Sequence, residues 1–137
     1  MSSLKDLIRS ATDIKTQDNV EIPEWAPGHF FQVTGLPSGD WEAYHNKMSK
    51  MTKRDQESGL EMTIRSNKAE IVAKALRDQE TGELVFPDLR EGIAILSKRS
   101  AGIVGGLFLL VRHLSDEDRD FMQKVKAAEE DFGDGRS

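Results

Sequence analysis

The feature that most constrains this chain is an apolar run, Ala101 to Val111, 11 residues long and interrupted by nothing polar except three glycines. A membrane span needs about 20 apolar residues, so the run reads as a buried helix. Ile103, Leu107, Leu110 and Leu114 make one stripe, and Val104, Phe108 and Val111 widen it. A helix this apolar is expected to be central and touched on most sides. Gly102-x-x-x-Gly106 reads as a close helix–helix contact in the core. At 137 residues, the chain can wrap one modest core around such a helix, and not two.

The rest of the chain supplies partners for it. Ser2, Ser3 and Asp6 open a short helix whose face carries Leu4, Leu7, Ile8 and Ala11. It is so short that it needs something to dock on. Asp13 to Asn19 is polar and turn-like. Val20-Glu21-Ile22 and Phe30 to Leu36 read as two short paired strands, around 20–22 and 30–35, separated by Pro23, Trp25 and the Pro27-Gly28 turn. A helix follows Pro37-Ser38-Gly39-Asp40, with Trp41, Tyr44, Met48 and Met51 on one face. Lys47, Lys50, Lys53 and Arg54 fill its C-terminal half as a solvated basic end.

Residues 55–66 fit two periods. Leu60, Met62 and Ile64 alternate like a strand, while Leu60, Ile64 and Ile71 fit a helical stripe. A variable or extended segment is expected, with a helix starting at Asn67, where Glu70 completes a capping-box spacing. Asp78 to Gly82 is turn chemistry and Leu84-Val85-Phe86 a short strand, together a hairpin. Asp88 and Glu91 open the next helix, whose stripe is Leu89, Ile93 and Leu96. Ser100 caps the apolar helix. Ser115 with Asp118 marks a last, amphipathic helix over 115–132 bearing Phe121, Val125, Ala128 and Phe132, with Met122 beside them. Residues 133–137 read as a flexible tail. The expected architecture is α+β, a mostly helical single domain over 1–132 with a small antiparallel sheet near the N-terminal half, built from 20–35 and 77–86. Residues 1–16 form its short N-terminal helix and linker.

Chemistry is sparse. The net charge of −5 opposes binding to phosphate, so neither nucleic acid nor an anionic membrane is an expected partner. With no cysteine there is no disulfide, thiolate nucleophile or cysteine-ligated metal. His29, His45 and His113 are scattered, with no zinc spacing. Asp116 to Asp120 lacks the glycine and closing glutamate of a calcium loop and reads as an acidic helix start. Asp131-Phe132-Gly133 lacks the other parts of a kinase. No nucleophile elbow or phosphate loop occurs. No catalytic, cofactor or metal site is expected. The start Met1-Ser2-Ser3-Leu4-Lys5-Asp6 lacks the apolar core of a signal peptide, and the expected location is cytoplasmic.

The order of motifs resembles the tail assembly chaperone family of long, non-contractile-tailed bacteriophages and prophages. Val20-Glu21-Ile22-Pro23-Glu24-Trp25 resembles its strand ending in a proline-acid-tryptophan step. Phe31 to Leu36 followed by Ser38-Gly39-Asp40-Trp41-Glu42-Ala43 resembles its second strand and the helix after it. Ala75 to Asp78, Thr81-Gly82 and Leu84-Val85-Phe86 resemble its hairpin, and Leu96 to Leu114-Ser115 its closing helix pair. The likeness covers about residues 18–118. Glu57 to Arg65 matches nothing in it, and the C-terminal helix is longer than the family's.

The resemblance implies a non-enzymatic assembly factor of the infected host's cytoplasm, absent from the mature virion. Its partners would be the tape measure protein, which it keeps soluble, and the tail tube subunits assembling around it. In many relatives a longer product arises by programmed ribosomal frameshifting. A partner-binding stripe would be Phe121, Met122, Val125 and Phe132, which otherwise packs on the domain. A homo-oligomer is possible on the sequence. A structural virion component, such as a tail completion or connector subunit, has the same composition and is the competing reading. A small hydrolase would need a pocket joining His45 or His113 to two carboxylates.

Overall fold

The computed structural model describes residues 3–58 and 62–118. Five helices and three strands occur there, in the order α1 (Leu4–Arg9), β1 (Thr16–Val20), β2 (Phe31–Thr34), α2 (Ser38–Ser58), α3 (Met62–Ala75), β3 (Leu76–Asp78), α4 (Leu89–Leu96) and α5 (Ala101–Leu114). The strands form one antiparallel sheet in the order β1-β2-β3. The architecture is therefore α+β in a single domain. No helix among the described residues is long and apolar enough to cross a membrane.

Among the described side chains, the most enclosed stretch is the second half of α3. Ala69, Ile71, Val72, Ala73 and Ala75 are all buried, and Leu76 continues the run into β3 at 1% exposure. The helix is packed by α2, α4 and α5, so its small side chains let three neighbours approach at once. Val33 of β2, Leu96 of α4 and Val111 of α5 complete the fully buried set. Where α4 crosses close, Gly92 is the enabling residue: a Cβ there would lie 2.7 Å from Phe86 Cβ and 3.2 Å from Ala73 Cβ.

That arrangement corrects the expected role of the apolar run. The helix forms as expected, but it is not enclosed. Val104, Leu107, Phe108, Val111 and Leu114 are buried, whereas Gly102, Gly106 and Leu109 face outward. A Cβ at Gly105 or Gly106 would meet nothing within 4 Å. The Gly102/Gly106 spacing is thus no core contact. Ser100 stands at the N-cap but makes no side-chain capping bond.

Three element boundaries also differ from expectation. The first strand is Thr16–Val20, not 20–22; the polar stretch expected as a turn is the strand, and Ile22 is buried in the connection after it. Four of the five β1 residues are exposed, so no burial pattern marks them in sequence. Residues 55–58 close α2, and α3 starts at Met62, so Asn67 and Glu70 lie inside a helix rather than at its start. The hairpin forms, but its return strand at Leu84-Val85-Phe86 is reduced to a bridge between Arg77 and Leu84, with Val85 N–H donating to Leu76 O at 3.1 Å.

Other expectations hold. Asp88 caps α4 by accepting from the Arg90 and Glu91 amides. Trp41 and Tyr44 of α2 are buried and stack edge-on against each other, ring centroids 5.7 Å apart. Both also meet Phe108 of α5. Lys47 departs from the expected solvated end: it pairs with Glu70 across α2 and α3 at 2.8 Å and ties two helices. Met51, Lys50, Lys53 and Arg54 have side chains outside the described set.

Candidate functional site

The residues expected to grip a partner, Phe121, Met122, Val125 and Phe132, lie outside the described residues, as does the rest of the helix expected over 115–132 beyond Asp118. The described part shows that Ser115 is not the start of that helix. It is the C-cap of α5. Asp116 follows with φ 59, Asp116 N–H donates to His113 O, and Glu117 N–H donates to Arg112 O at 2.9 Å. This is a Schellman closure, with aspartate in the left-handed position usually given to glycine.

That closure is stitched to the sheet. Ser115 Oγ accepts from Leu36 N–H, Gly35 N–H donates to Lys15 O, and Lys15 N–H donates to Leu114 O at 3.3 Å. Gly35 has no room for a side chain, since a Cβ would lie 2.6 Å from Leu114 O. The chain therefore comes off α1 and leaves α5 at the same corner of the domain. Two histidine–carboxylate pairs flank the exit: His45 with Glu117, and His113 with Asp118 at 3.0 Å. The His113 hydrogen bond is the main reason the Asp118 carboxyl titrates below its ordinary value. Each histidine is well exposed, which suits a surface clasp.

Just before this corner lies α1. Ser3 and Asp6 close a reciprocal capping box around its first turn. No residue of the helix is buried, and Leu4, Leu7 and Ile8 are 78%, 55% and 76% exposed. The stripe predicted from the sequence is thus real, and it faces solvent. Ile14, between α1 and β1, is also exposed.

Two concavities lie at the far end of the sheet and beside it. One, of about 630 Å³, is lined by His29, Phe30, Asp78, Glu80 and Glu83 among others. Asp78 spends one carboxylate oxygen on the Glu80 amide, as a turn residue does. Among the described residues, no group of three or more His, Asp or Glu side chains is arranged to hold a metal. The other, of about 420 Å³, is apolar, with Trp25, Phe31, Val85, Phe86 and the exposed Ile95 on its walls and Arg99 at its rim. Its chemistry suits apolar side chains rather than phosphate or sugar. Comparison of the chain with protein-family models, curated proteins and solved structures gave no match.

Proposed function

We propose that this chain is a tail assembly chaperone of a long, non-contractile-tailed bacteriophage or prophage. In this reading it is a non-enzymatic factor of the host cytoplasm. It binds the tape measure protein, keeps it soluble and helps tail tube subunits assemble around it. The observation that carries the reading is the bare apolar edge of α1, held out from an acidic body. A holdase needs apolar surface to offer a client and net charge to stay soluble while offering it. The motif order supports it as well: Phe31 to Thr34 is a strand, Ser38 opens a helix, and Asp78 to Gly82 is the hairpin turn.

The test is co-expression with a phage tape measure protein, followed by fractionation and co-purification. The expected result is a soluble large protein that travels with this chain. A large protein that stays insoluble and unbound overturns the reading. So does recovery of this chain in stoichiometric amount from purified particles, which is what a tail completion or connector subunit would give.

A further inference from the structure

The acidic and the apolar concavities are two arms of one groove. Ala26, Phe31 and Val85 line both, so the arms meet at that shared wall. Phe31 and Leu76 come from neighbouring strands, Trp25 from the turn after β1, and Ile95 and Arg99 from the end of α4 and the loop behind it. Three separate parts of the chain thus shape the apolar arm, and Ile95 stays 41% exposed on it. No residue of α1 lines either arm, so this apolar surface is separate from the edge of Leu4, Leu7 and Ile8.

The arms differ in charge. Asp78, Glu80 and Glu83 line one of them, together with His29. Among the described residues, no lysine or arginine lines that arm, and no cation pairs with any of the three carboxylates. Arg77, next to Asp78 in the chain, donates instead to Gly82 O and lines a different concavity. Phe30 stands among the carboxylates at 46% exposure, and its ring gives the stem of a lysine or arginine a surface to lie on. The apolar arm supplies contact and the carboxylates set the sign of the charge that fits beside it. The net charge of −5 draws a cationic partner in the same direction.

We propose that this groove docks a short segment of another protein in which apolar side chains are followed by at least two lysines or arginines. The apolar side chains enter the arm walled by Trp25, Phe86 and Ile95, and the cations lie over Phe30 against Glu80 and Glu83. A volume of about 420 Å³ takes a few side chains, so the occupant is a segment and not a packed domain. A second copy of this chain fits less well. Its α1 offers an apolar edge, but Arg9 is paired there with Asp6, which leaves Lys5 as the uncompensated cation. The proposal does not rest on the chaperone reading.

The probe is a synthetic peptide of about twelve residues, leucine and alanine in its first half and lysine and serine in its second, with both ends capped. It carries a dye, and its anisotropy is followed as the full chain is added. Binding is expected to be at least about tenfold tighter than for the same peptide with glutamate in place of lysine, and to weaken as salt is raised. Equal affinity for the two peptides, or binding of neither, overturns the proposal, and this comparison uses the native chain alone. Glu80→Gln/Glu83→Gln and Ile95→Asp, each checked for a native near-ultraviolet spectrum, are each expected to weaken the lysine peptide at least about tenfold. Affinity unchanged in both variants puts the contact elsewhere and also overturns it. Sedimentation tests the other occupant. Self-association that grows with concentration and is abolished both by Leu7→Asp and by Ile95→Asp gives the groove to the α1 of a second copy and overturns the proposal in its favour. None of these measurements involves the tape measure protein, so each can fail while the co-expression result stands, and the reverse.

Discussion

Leu36 N–H donates to the Ser115 hydroxyl at 2.8 Å, and that hydroxyl donates in turn to Val111 O at 2.6 Å. One side chain therefore satisfies the end of β2 and the last turn of α5, 79 residues apart. Replacing it leaves a partly buried amide without a partner, a loss of about 1–3 kcal/mol. Ser115→Ala is expected to lower the unfolding free energy by that amount, read as a lower urea midpoint with the slope unchanged. An unaltered midpoint would mean that water takes the place of the hydroxyl.

Gly35 and Gly106 should respond in opposite directions. A methyl at Gly35 runs into the Leu114 carbonyl, whereas one at Gly106 enters open space on a helix. Gly35→Ala is expected to destabilise by about 1–3 kcal/mol, the usual range for overpacking. Gly106→Ala is expected to stabilise by about 0.5–1 kcal/mol, since alanine loses less chain entropy in a helix. Thermal melts of the two variants distinguish the signs directly.

Trp41 is 3% exposed, and its indole Nε1 has no hydrogen-bond partner among the described residues. Trp41→Phe loses ring volume but also removes the unpaired donor, whose burial costs about 1–3 kcal/mol. The two effects offset, and a net change within about 1 kcal/mol is expected. Trp41→Ala, which only empties the space beside Tyr44 and Phe108, should cost about 3–5 kcal/mol. Comparable losses in the two variants would show that the indole N–H is satisfied.

The His113–Asp118 clasp predicts a pH signature. The Asp118 carboxyl titrates below its ordinary value, chiefly because His113 hydrogen-bonds to it. A depressed folded value means that its contribution is present above the unfolded pKa and is lost as pH falls through the folded one. His113→Ala is therefore expected to raise the Asp118 midpoint in a carboxyl-detected NMR titration. Asp118→Asn should cost stability only at pH above that midpoint, and little even there, because the pair is exposed and screened. A midpoint unmoved by His113→Ala would refute the clasp.

Legibility in the sequence followed burial. α4 and most of α5 were readable because Leu89, Ile93 and Leu96, and Val104, Leu107 and Val111, face one core and repeat with the helical period. β1 was not, because its outward residues carry no alternation. It is held by backbone pairing to β2 and by polar contacts, Asp18 with Gln32 and Asn19 with Gln79. Ile22 misled in the other direction, as a buried residue outside any strand. At Gly102 and Gly106 the spacing implied a contact that only a neighbouring helix could supply, and the close approach occurs at Gly92 instead. The stripe of α1 was legible, but its length implied a docked helix, and among the described residues nothing covers it. Its nearness to the exit of α5 was not, because the Lys15–Leu114 bond joins residues 99 positions apart.

That bond has a consequence for how the chain could be rewired. Lys15 and Leu114 bring the two ends of the folded body within one hydrogen bond of each other. Covalently bridging that corner with a short linker and cutting the backbone at the exposed Thr81-Gly82 turn would give a circular permutant with the same neighbours in the core. The order in which the elements are strung is thus separable from the way they pack, and α1 is an appendage hung on a body already closed.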